Sequence, residues 1–260
     1  MKDNGVVFSF LILSVILTIV PGMIPQGEEM PRQYDVSVRY TNTPCIPEEF
    51  LRIHDTGSRK EYLLGILLPL VLKSNSEVAT ERRKLNRIKT TRWWMSRKEK
   101  QVLKRLADKY KVETDDCTAM MEELLVKVDV LPPSLVLAQA AIESGWGTSR
   151  FAVDGNNLFG LRTPSGEGMV PRLQDEGKVF RVSRFDDLQS NIDYYLWTIN
   201  THPKYEELRH IRSESSYPYD PLVLADGLRH YSETGDNYVK KLISIIEYNG
   251  LQGYDSVGLE

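Results

Sequence analysis

The spacing of apolar residues predicts helices over much of the chain. Between residues 61 and 130, apolar positions recur at steps of three and four among charged ones. The clearest series are Val102, Leu103, Leu106 and Tyr110, and then Met120, Met121, Leu124, Leu125 and Val128. Such a period is typical of helices that bury one face against a core. We therefore expect this part of the chain to be helical throughout.

A further helix is predicted from its start and stop signals. Pro132, Pro133 and Ser134 mark its beginning, because proline is tolerated in a first turn and serine is available to cap. The helix runs through LVLAQAAIE and must end at Gly145, since the Gly-Trp-Gly that follows supplies two residues that readily adopt positive φ.

Turns and a small sheet are expected next, because seven glycines fall between Gly145 and Gly177. The flanking pieces NLFGLRT and GKVFRVSRF alternate as the two arms of a β-hairpin with a long loop. Beyond Asp186 the helical pattern returns in LQSNIDYYLWTI, PLVLADGLRHY and NYVKKLISIIEYN. The predicted fold class is mainly α (α+β), with one small β-hairpin.

The first residues predict export from the cytoplasm. Val6 to Val20 is an uninterrupted run of fifteen apolar or small residues, the length of a signal-peptide core and short for a membrane span. Residues 1–24 are expected to be a signal peptide or an N-terminal membrane anchor, with cleavage left open. Residues 25–60 are rich in proline and read as a linker. The run YLLGILLPLVL, from Tyr62 to Leu72, is too short to span and predicts a buried helix.

Charge is unevenly distributed, although the net charge is only -3. Between Glu81 and Lys111 there are thirteen Lys or Arg residues against three acids, which defines a helical basic region over 61–117. A polyanion could bind this stretch, or it could be the solvated face of a helix. Nucleic acid is not an expected partner, because an exported chain would rarely meet it.

Cysteine and histidine usage gives no support for a metal site. Cys45 and Cys117 are too few for a disulfide framework, and whether they pair is left open. The four histidines show no zinc-binding spacing, so no metal and no cofactor are expected.

Glu143 is the candidate for chemistry, because it is the one charged residue between Asp129 and Arg150. Its helix is expected to be buried on most faces, and desolvation raises the pKa of a carboxyl group. A carboxylate in the last turn of a helix also faces the negative end of the helix dipole. Both effects favour a protonated group that can act as a general acid, as glycoside hydrolysis requires. An exposed glutamate, or one paired with Arg150, is the competing interpretation.

Three blocks of the sequence resemble a known family. They are LAQAAIESGWGTSRFAVDGNNLFGLR, INTHPKYEELRHIRSE and GLRHYSETGDNYVKKLISIIEYN, and the resemblance as a whole covers about residues 118 to 250. They are similar to the mannosyl-glycoprotein endo-β-N-acetylglucosaminidase-like family of peptidoglycan glucosaminidases, and in particular to its Bax-type bacterial branch. The resemblance implies a glucosaminidase catalytic domain over 118–260, with a lysozyme-like helical fold and a small β lobe. It also implies hydrolysis of the β-1,4 bond between N-acetylglucosamine and N-acetylmuramic acid in peptidoglycan glycan strands.

The resemblance also assigns site residues. Glu143 falls on the family's proton donor, and Tyr231 on a tyrosine placed near the reactive sugar. The residues that the resemblance places in substrate binding are Trp146, Asn157, Phe159 and Tyr238. The spacing from Tyr231 to Tyr238 is one residue longer than in the family's common form, which fits the Bax-type branch.

The second catalytic group has no single candidate. Glu167, Asp175 and Glu176 all lie in the predicted hairpin loop, and no motif selects one of them. A loop carboxylate could activate water, or the substrate's 2-acetamido group could act as nucleophile with Tyr231 assisting, which is slightly favoured.

Two other functions stay open from the sequence. A muramidase or lytic transglycosylase also places a Glu-Ser at a helix end, but NNLFGLR stands where that class continues into a G-L-M-Q-like string. A membrane-tethered glycan-binding or scaffold module without turnover is the non-enzymatic alternative.

Overall fold

Helices make up most of the described chain. The computed structural model describes residues 37–90, 95–163, 168–171 and 180–259. The α-helices are α1 (Glu48–Leu51), α2 (Thr56–Thr90), α3 (Arg97–Tyr110), α4 (Cys117–Lys127), α5 (Pro133–Ser144), α6 (Arg150–Gly155), α7 (Leu188–Thr201), α8 (Glu206–Glu214), α9 (Pro221–Ala225) and α10 (Asp236–Tyr248). The strands are β1 (Ser37–Val38), β2 (Arg162–Thr163), β3 (Arg181–Val182) and β4 (Gly258–Leu259). The predicted mainly α class with a small sheet is confirmed.

The predicted hairpin is present between α6 and α7. Strands β2 and β3 are antiparallel, with Arg162 opposite Val182 and Thr163 opposite Arg181. Met169 extends the pairing, because it exchanges two backbone hydrogen bonds with Val182. The hairpin is closed off from solvent on one side by buried Met169 and Val182.

Helix α2 is the longest element and crosses the core. Among the described residues it is the one helix long and apolar enough to span a membrane, yet 56% of its most apolar window is buried inside the protein. The buried helix predicted for residues 62–72 is confirmed within it. α2 packs on α4, α5 and α7, so it serves as a core helix here.

The domain boundaries at 60/61 and 117/118 stay predictions. Residues before and after each boundary contribute to one hydrophobic core. All described residues belong to a single compact unit. In the described part of the predicted linker, Ile46 and Phe50 are buried. Strand β1 pairs in parallel with β4 near the C-terminus. The predicted signal or anchor, residues 1–24, lies outside the described residues.

Helix α5 lies at the centre of the fold and packs on α2, α9, α10 and the 3₁₀ segment Leu251–Ser256. Pro133 occupies its first position, as expected. The expected serine cap is replaced, because the carboxylate of Asp255 accepts hydrogen bonds at 2.8 Å from both the N–H and the hydroxyl of Ser134. Asp255 lies 121 residues further along the chain, so no local pattern could have indicated this cap.

Helix α5 ends where the sequence predicts. Gly145 is left-handed, and the N–H of Trp146 bonds the carbonyl of Ala141 at 2.8 Å, which is the Schellman pattern. Gly147 is also left-handed, with φ +77°. A Cβ there would lie 2.9 Å from Leu63 Cδ1 and 3.1 Å from Phe50 Cζ. This turn therefore packs directly against α1 and α2.

Gly147→Ala is expected to destabilise the protein by about 2 kcal/mol or more, through left-handed strain and overpacking against Leu63. Urea unfolding followed by circular dichroism measures the free energy of unfolding. The matched control is Gly253→Ala, because a Cβ at Gly253 meets nothing within 4 Å. Equal stabilities for the two variants would contradict the close approach described for Gly147.

Candidate active site

The carboxyl group of Glu143 lies in the last turn of α5, where it is partly buried. Burial raises the pKa of this carboxyl group, and it is the largest influence on it. A hydrogen bond from Tyr238 and the positive charge of Lys241 act in the opposite direction. Since the pKa is raised, the protonated form persists to higher pH than it would in an exposed glutamate, as the sequence predicts.

Four tyrosines from four parts of the chain lie around this carboxyl group. They are Tyr195 on α7, Tyr205 in the 3₁₀ turn Pro203–Tyr205, Tyr231, and Tyr238 on α10. Burial and the charge of Glu143 both raise the pKa of each one, to about 12 for Tyr205. All four side chains therefore remain neutral at physiological pH.

A chain of hydrogen bonds fixes the direction in which Tyr238 donates. The hydroxyl of Tyr195 donates to Gln139 Oε1, which orients the buried amide. Gln139 Nε2 then donates to the Tyr238 hydroxyl oxygen at 3.1 Å. Because an amide nitrogen can only donate, Tyr238 must accept from Gln139 and keeps its own proton for Glu143.

The segment that enters the β lobe closes the other side of the site. The ring of Phe159 stacks on the ring of Tyr195, with 3.9 Å between the centroids. The backbone carbonyl of Phe159 accepts a hydrogen bond from the Tyr231 hydroxyl at 2.8 Å. Tyr231 also stacks on Tyr238 at 5.4 Å. Gly160 is next, and a Cβ there would lie 4.0 Å from Glu143 Oε2. The backbone of this segment therefore passes beside the acid.

Asn157 holds this segment in place. Its side-chain oxygen accepts from the N–H of Leu161 at 3.0 Å. Its amide nitrogen donates to the carbonyl oxygens of Leu161 and Ser183, at 2.9 and 3.0 Å. The side chain is buried and all its polar atoms are used by the backbone, so in this structure Asn157 clamps the turn before β2 onto the residue after β3.

Trp146 projects from the turn after Glu143 toward α2. The ammonium of Lys60 lies 4.5 Å from the centroid of its indole ring, within cation–π range. Trp146 is itself left-handed, with φ +56°, which is uncommon for a large side chain. The Schellman bond from its N–H offsets part of that cost.

The candidates for a second carboxylate, Glu167, Asp175 and Glu176, lie outside the described residues. Within the described ranges, the charged and hydrogen-bonding groups that shift the pKa of Glu143 are Lys241 and Tyr238, and neither is a carboxylate. The described residues also contain no cluster of three or more His, Cys, Asp or Glu side chains able to hold a metal ion. Cys45 and Cys117 are both exposed and free.

Comparison with known proteins identifies the family of this chain. Residues 118–251 match the model of the family described as mannosyl-glycoprotein endo-beta-N-acetylglucosaminidase. Protein bax of Escherichia coli (strain K12) is 31% identical over 205 residues, which cover 76% of this chain and 73% of that protein. The chain belongs to this glucosaminidase family. It is therefore a member of a family of glycoside hydrolases.

Two solved structures that resemble this chain are less similar to it in sequence than protein bax is. The catalytic domain of the autolysin Auto from Listeria monocytogenes is 20% identical, covers 67% of this chain and 87% of its own, and gives a TM-score of 0.39. The glycoside hydrolase domain of FlgJ from Salmonella typhimurium is 26% identical, covers 46% and 84%, and gives a TM-score of 0.34. At these TM-scores the likeness adds nothing to the family assignment.

Four residues around Glu143 were not predicted from the sequence: Gln139, Tyr195, Tyr205 and Lys241. Gln139 could have been predicted from the sequence, because it precedes Glu143 by four residues and so lies on the same face of the helix. Tyr205 lies inside one of the blocks that carry the family resemblance. Lys241 lies inside another of these blocks, three residues after Tyr238 and so on the same face of the helix. Tyr195 had no signal in the sequence, since it reaches the site only through the packing of its helix.

Gln139→Glu is expected to raise the pKa of Glu143 further. The new carboxylate would accept the Tyr238 proton, which removes a hydrogen bond from ionised Glu143, and would add a negative charge nearby. NMR titration of carbon-13-labelled glutamate side chains measures this pKa, with the Glu143 signal assigned from its loss in Glu143→Gln.

Gln101→Glu, at an exposed position on α3, adds the same charge away from the site and is the control. An unchanged Glu143 pKa in folded Gln139→Glu would contradict the inferred direction of the hydrogen-bond chain.

Proposed function

We propose that this glucosaminidase is a peptidoglycan hydrolase that cleaves the β-1,4 bond between N-acetylglucosamine and N-acetylmuramic acid. Glu143 is the general acid that protonates the departing glycosidic oxygen. The observation that carries the proposal is the environment of Glu143: a partly buried carboxyl group with a raised pKa, faced by neutral tyrosines. This is the state that a proton donor needs near neutral pH.

The surrounding groups support proton donation in two ways. While Glu143 is protonated it carries no charge, so its burial costs little free energy. In this state the site can bind a neutral sugar. Once the proton has moved to the leaving oxygen, the hydrogen bond from Tyr238 and the charge of Lys241 stabilise the carboxylate that remains. The same two groups limit the rise in the pKa of Glu143 that burial causes.

Tyr231 fits a role beside the 2-acetamido group of the sugar. Its proton is donated to the carbonyl of Phe159, so its oxygen remains available to accept a hydrogen bond. An acetamido N–H could donate to that oxygen, which would orient the acetamido carbonyl to attack the anomeric carbon and would stabilise the positive charge that develops. The alternative is direct attack by a water that a loop carboxylate activates.

The proposed substrate also implies where the protein acts. Peptidoglycan lies outside the cytoplasmic membrane, so the protein is expected to be exported to the periplasm or another extracytoplasmic space. The apolar run from Val6 to Val20 is consistent with export and with an anchor in the inner membrane.

Glu143→Gln is expected to lower the release of soluble fragments from purified sacculi by at least about 100-fold, because a positioned acid contributes about 10² to 10⁴-fold. The fragments made by the wild-type protein should carry N-acetylglucosamine at their reducing ends, as mass spectrometry after borohydride reduction would show.

The matched control for that experiment is Glu122→Gln, which removes an exposed carboxylate on α4. Full activity in Glu143→Gln would refute the assignment of the acid. Muramic or anhydromuramic ends would instead identify a muramidase or a lytic transglycosylase, and tight glycan binding without any turnover would identify a binding module.

Single Glu167→Ala, Asp175→Ala and Glu176→Ala variants are each expected to keep most of the turnover, because the acetamido group supplies the nucleophile. Initial rates of fragment release at saturating substrate are the measurement. A loss of about 1000-fold at one position would assign that carboxylate a direct role.

A further inference from the structure

A lysine is held between two aromatic rings beside the turn that follows Glu143. The ammonium of Lys60 lies 4.5 Å from the ring centroid of Trp146 and 5.6 Å from that of Tyr248. It also donates to Asn249 Oδ1 at 3.0 Å. These residues come from α2, from the turn after α5 and from the end of α10, so three separate elements converge here. We refer to Lys60, Trp146 and Tyr248 as the lysine–aromatic cluster.

Two routes along the chain connect this cluster with Glu143. Trp146 follows Glu143 by three residues. On α10, Tyr238 and Lys241 act on Glu143, and Tyr248 follows Lys241 by seven residues. At about 100° and 1.5 Å per residue, these three α10 side chains share one side of the helix, with Tyr248 roughly 10 Å beyond Lys241. The cluster therefore continues the row of groups that begins at the acid.

The cluster exposes one of its rings, and its lysine has no ion-pair partner among the described residues. Tyr248 is 84% exposed, although an aromatic ring gains by burial. In the described part of the chain, neither Lys60 nor Lys241 forms a salt bridge. A purely structural tie between α2 and the turn would need only Lys60, Trp146 and Asn249. The exposed ring of Tyr248 and the charge of Lys60 are left for a ligand.

We propose that the lysine–aromatic cluster is a substrate subsite that binds a carboxylate on the peptide stem of a nearby N-acetylmuramic acid. An ammonium group with spare donors recognises a carboxylate, and an exposed aromatic ring stacks on the apolar face of the attached sugar or peptide. The subsite rests on the proposed function, because the glycan that reaches Glu143 must carry such stems. It makes stem-bearing strands better ligands than bare ones.

Binding is measured by titration calorimetry in the Glu143→Gln background, so that turnover does not consume the ligand. One ligand is a soluble glycan oligomer with intact stems, and the other is the same oligomer after an amidase has removed the stems. Adding Lys60→Met keeps an unbranched side chain between the rings but removes the charge. It is expected to weaken binding of the stem-bearing oligomer by about tenfold, as for a charged hydrogen bond, and to leave the stem-free oligomer unaffected.

Tyr248→Ala is a second variant, chosen because a residue so exposed can be truncated without disturbing the fold; it should also weaken binding of the stem-bearing oligomer. Lys84→Met is the matched control, since Lys84 is exposed and lies some two dozen residues after Lys60 on α2, roughly 36 Å along a straight helix. Equal affinities of the Lys60→Met and Lys84→Met proteins for the stem-bearing oligomer would overturn the subsite, as would an equal loss for both oligomers.

The proposed function is tested separately, by turnover of sacculi with wild-type Glu143. Stem-dependent binding that requires Lys60 in a protein without turnover would leave the subsite standing and refute the hydrolase. Turnover of sacculi, together with binding that does not depend on Lys60, would support the hydrolase and refute the subsite.

Discussion

The end of helix α5 is the constraint on which the site depends. The chain must turn at Gly145 through three consecutive left-handed residues, and Gly147 must lack a side chain because Phe50 and Leu63 occupy the space beside it. This turn sets the direction of Glu143 and the position of Trp146. The family match begins at residue 118, whereas Phe50 and Leu63 lie well before it. The end of helix α5 is therefore fixed partly by a region that the family match does not include.

The second organising feature is that tyrosines, and not other carboxylates, surround the acid among the described residues. A neighbouring carboxylate would raise the pKa of Glu143 but would compete with it for the proton. A buried tyrosine stays neutral, and its hydroxyl can donate to the ionised acid or accept from the protonated one. Gln139 removes this ambiguity for Tyr238, because its amide can only donate to that oxygen. The hydroxyl proton of Tyr238 is thus available to the ionised form of Glu143.

The sequence predicted what depends on local patterns. Helix periodicity, the end of α5 at Gly145 and the hairpin on either side of the glycine-rich loop follow from neighbouring residues, and so does Glu143 as an isolated charge. Contacts between distant residues could not be predicted this way. Asp255 replaces Ser134 as the cap of α5, and Tyr195 orients Gln139 from another helix. The family resemblance places Asn157 in substrate binding, yet its side-chain amide donates hydrogen bonds to backbone carbonyls on both arms of the hairpin.

The charge that shifts the pKa of Glu143 does not come from the strongly basic stretch between Glu81 and Lys111. Helix α2 carries Lys60 near its start and Lys84 some two dozen residues later, which separates them by roughly 36 Å along a straight helix. That distance is several times the screening length of about 8 Å at physiological ionic strength, so Lys84 has little effect on the lysine–aromatic cluster. Among the described residues, Lys241 is the charged group that shifts the pKa of Glu143, and it lies outside the basic stretch. The basic region and the active site can therefore change independently, although one continuous helix carries both the cluster's lysine and the first part of the basic stretch.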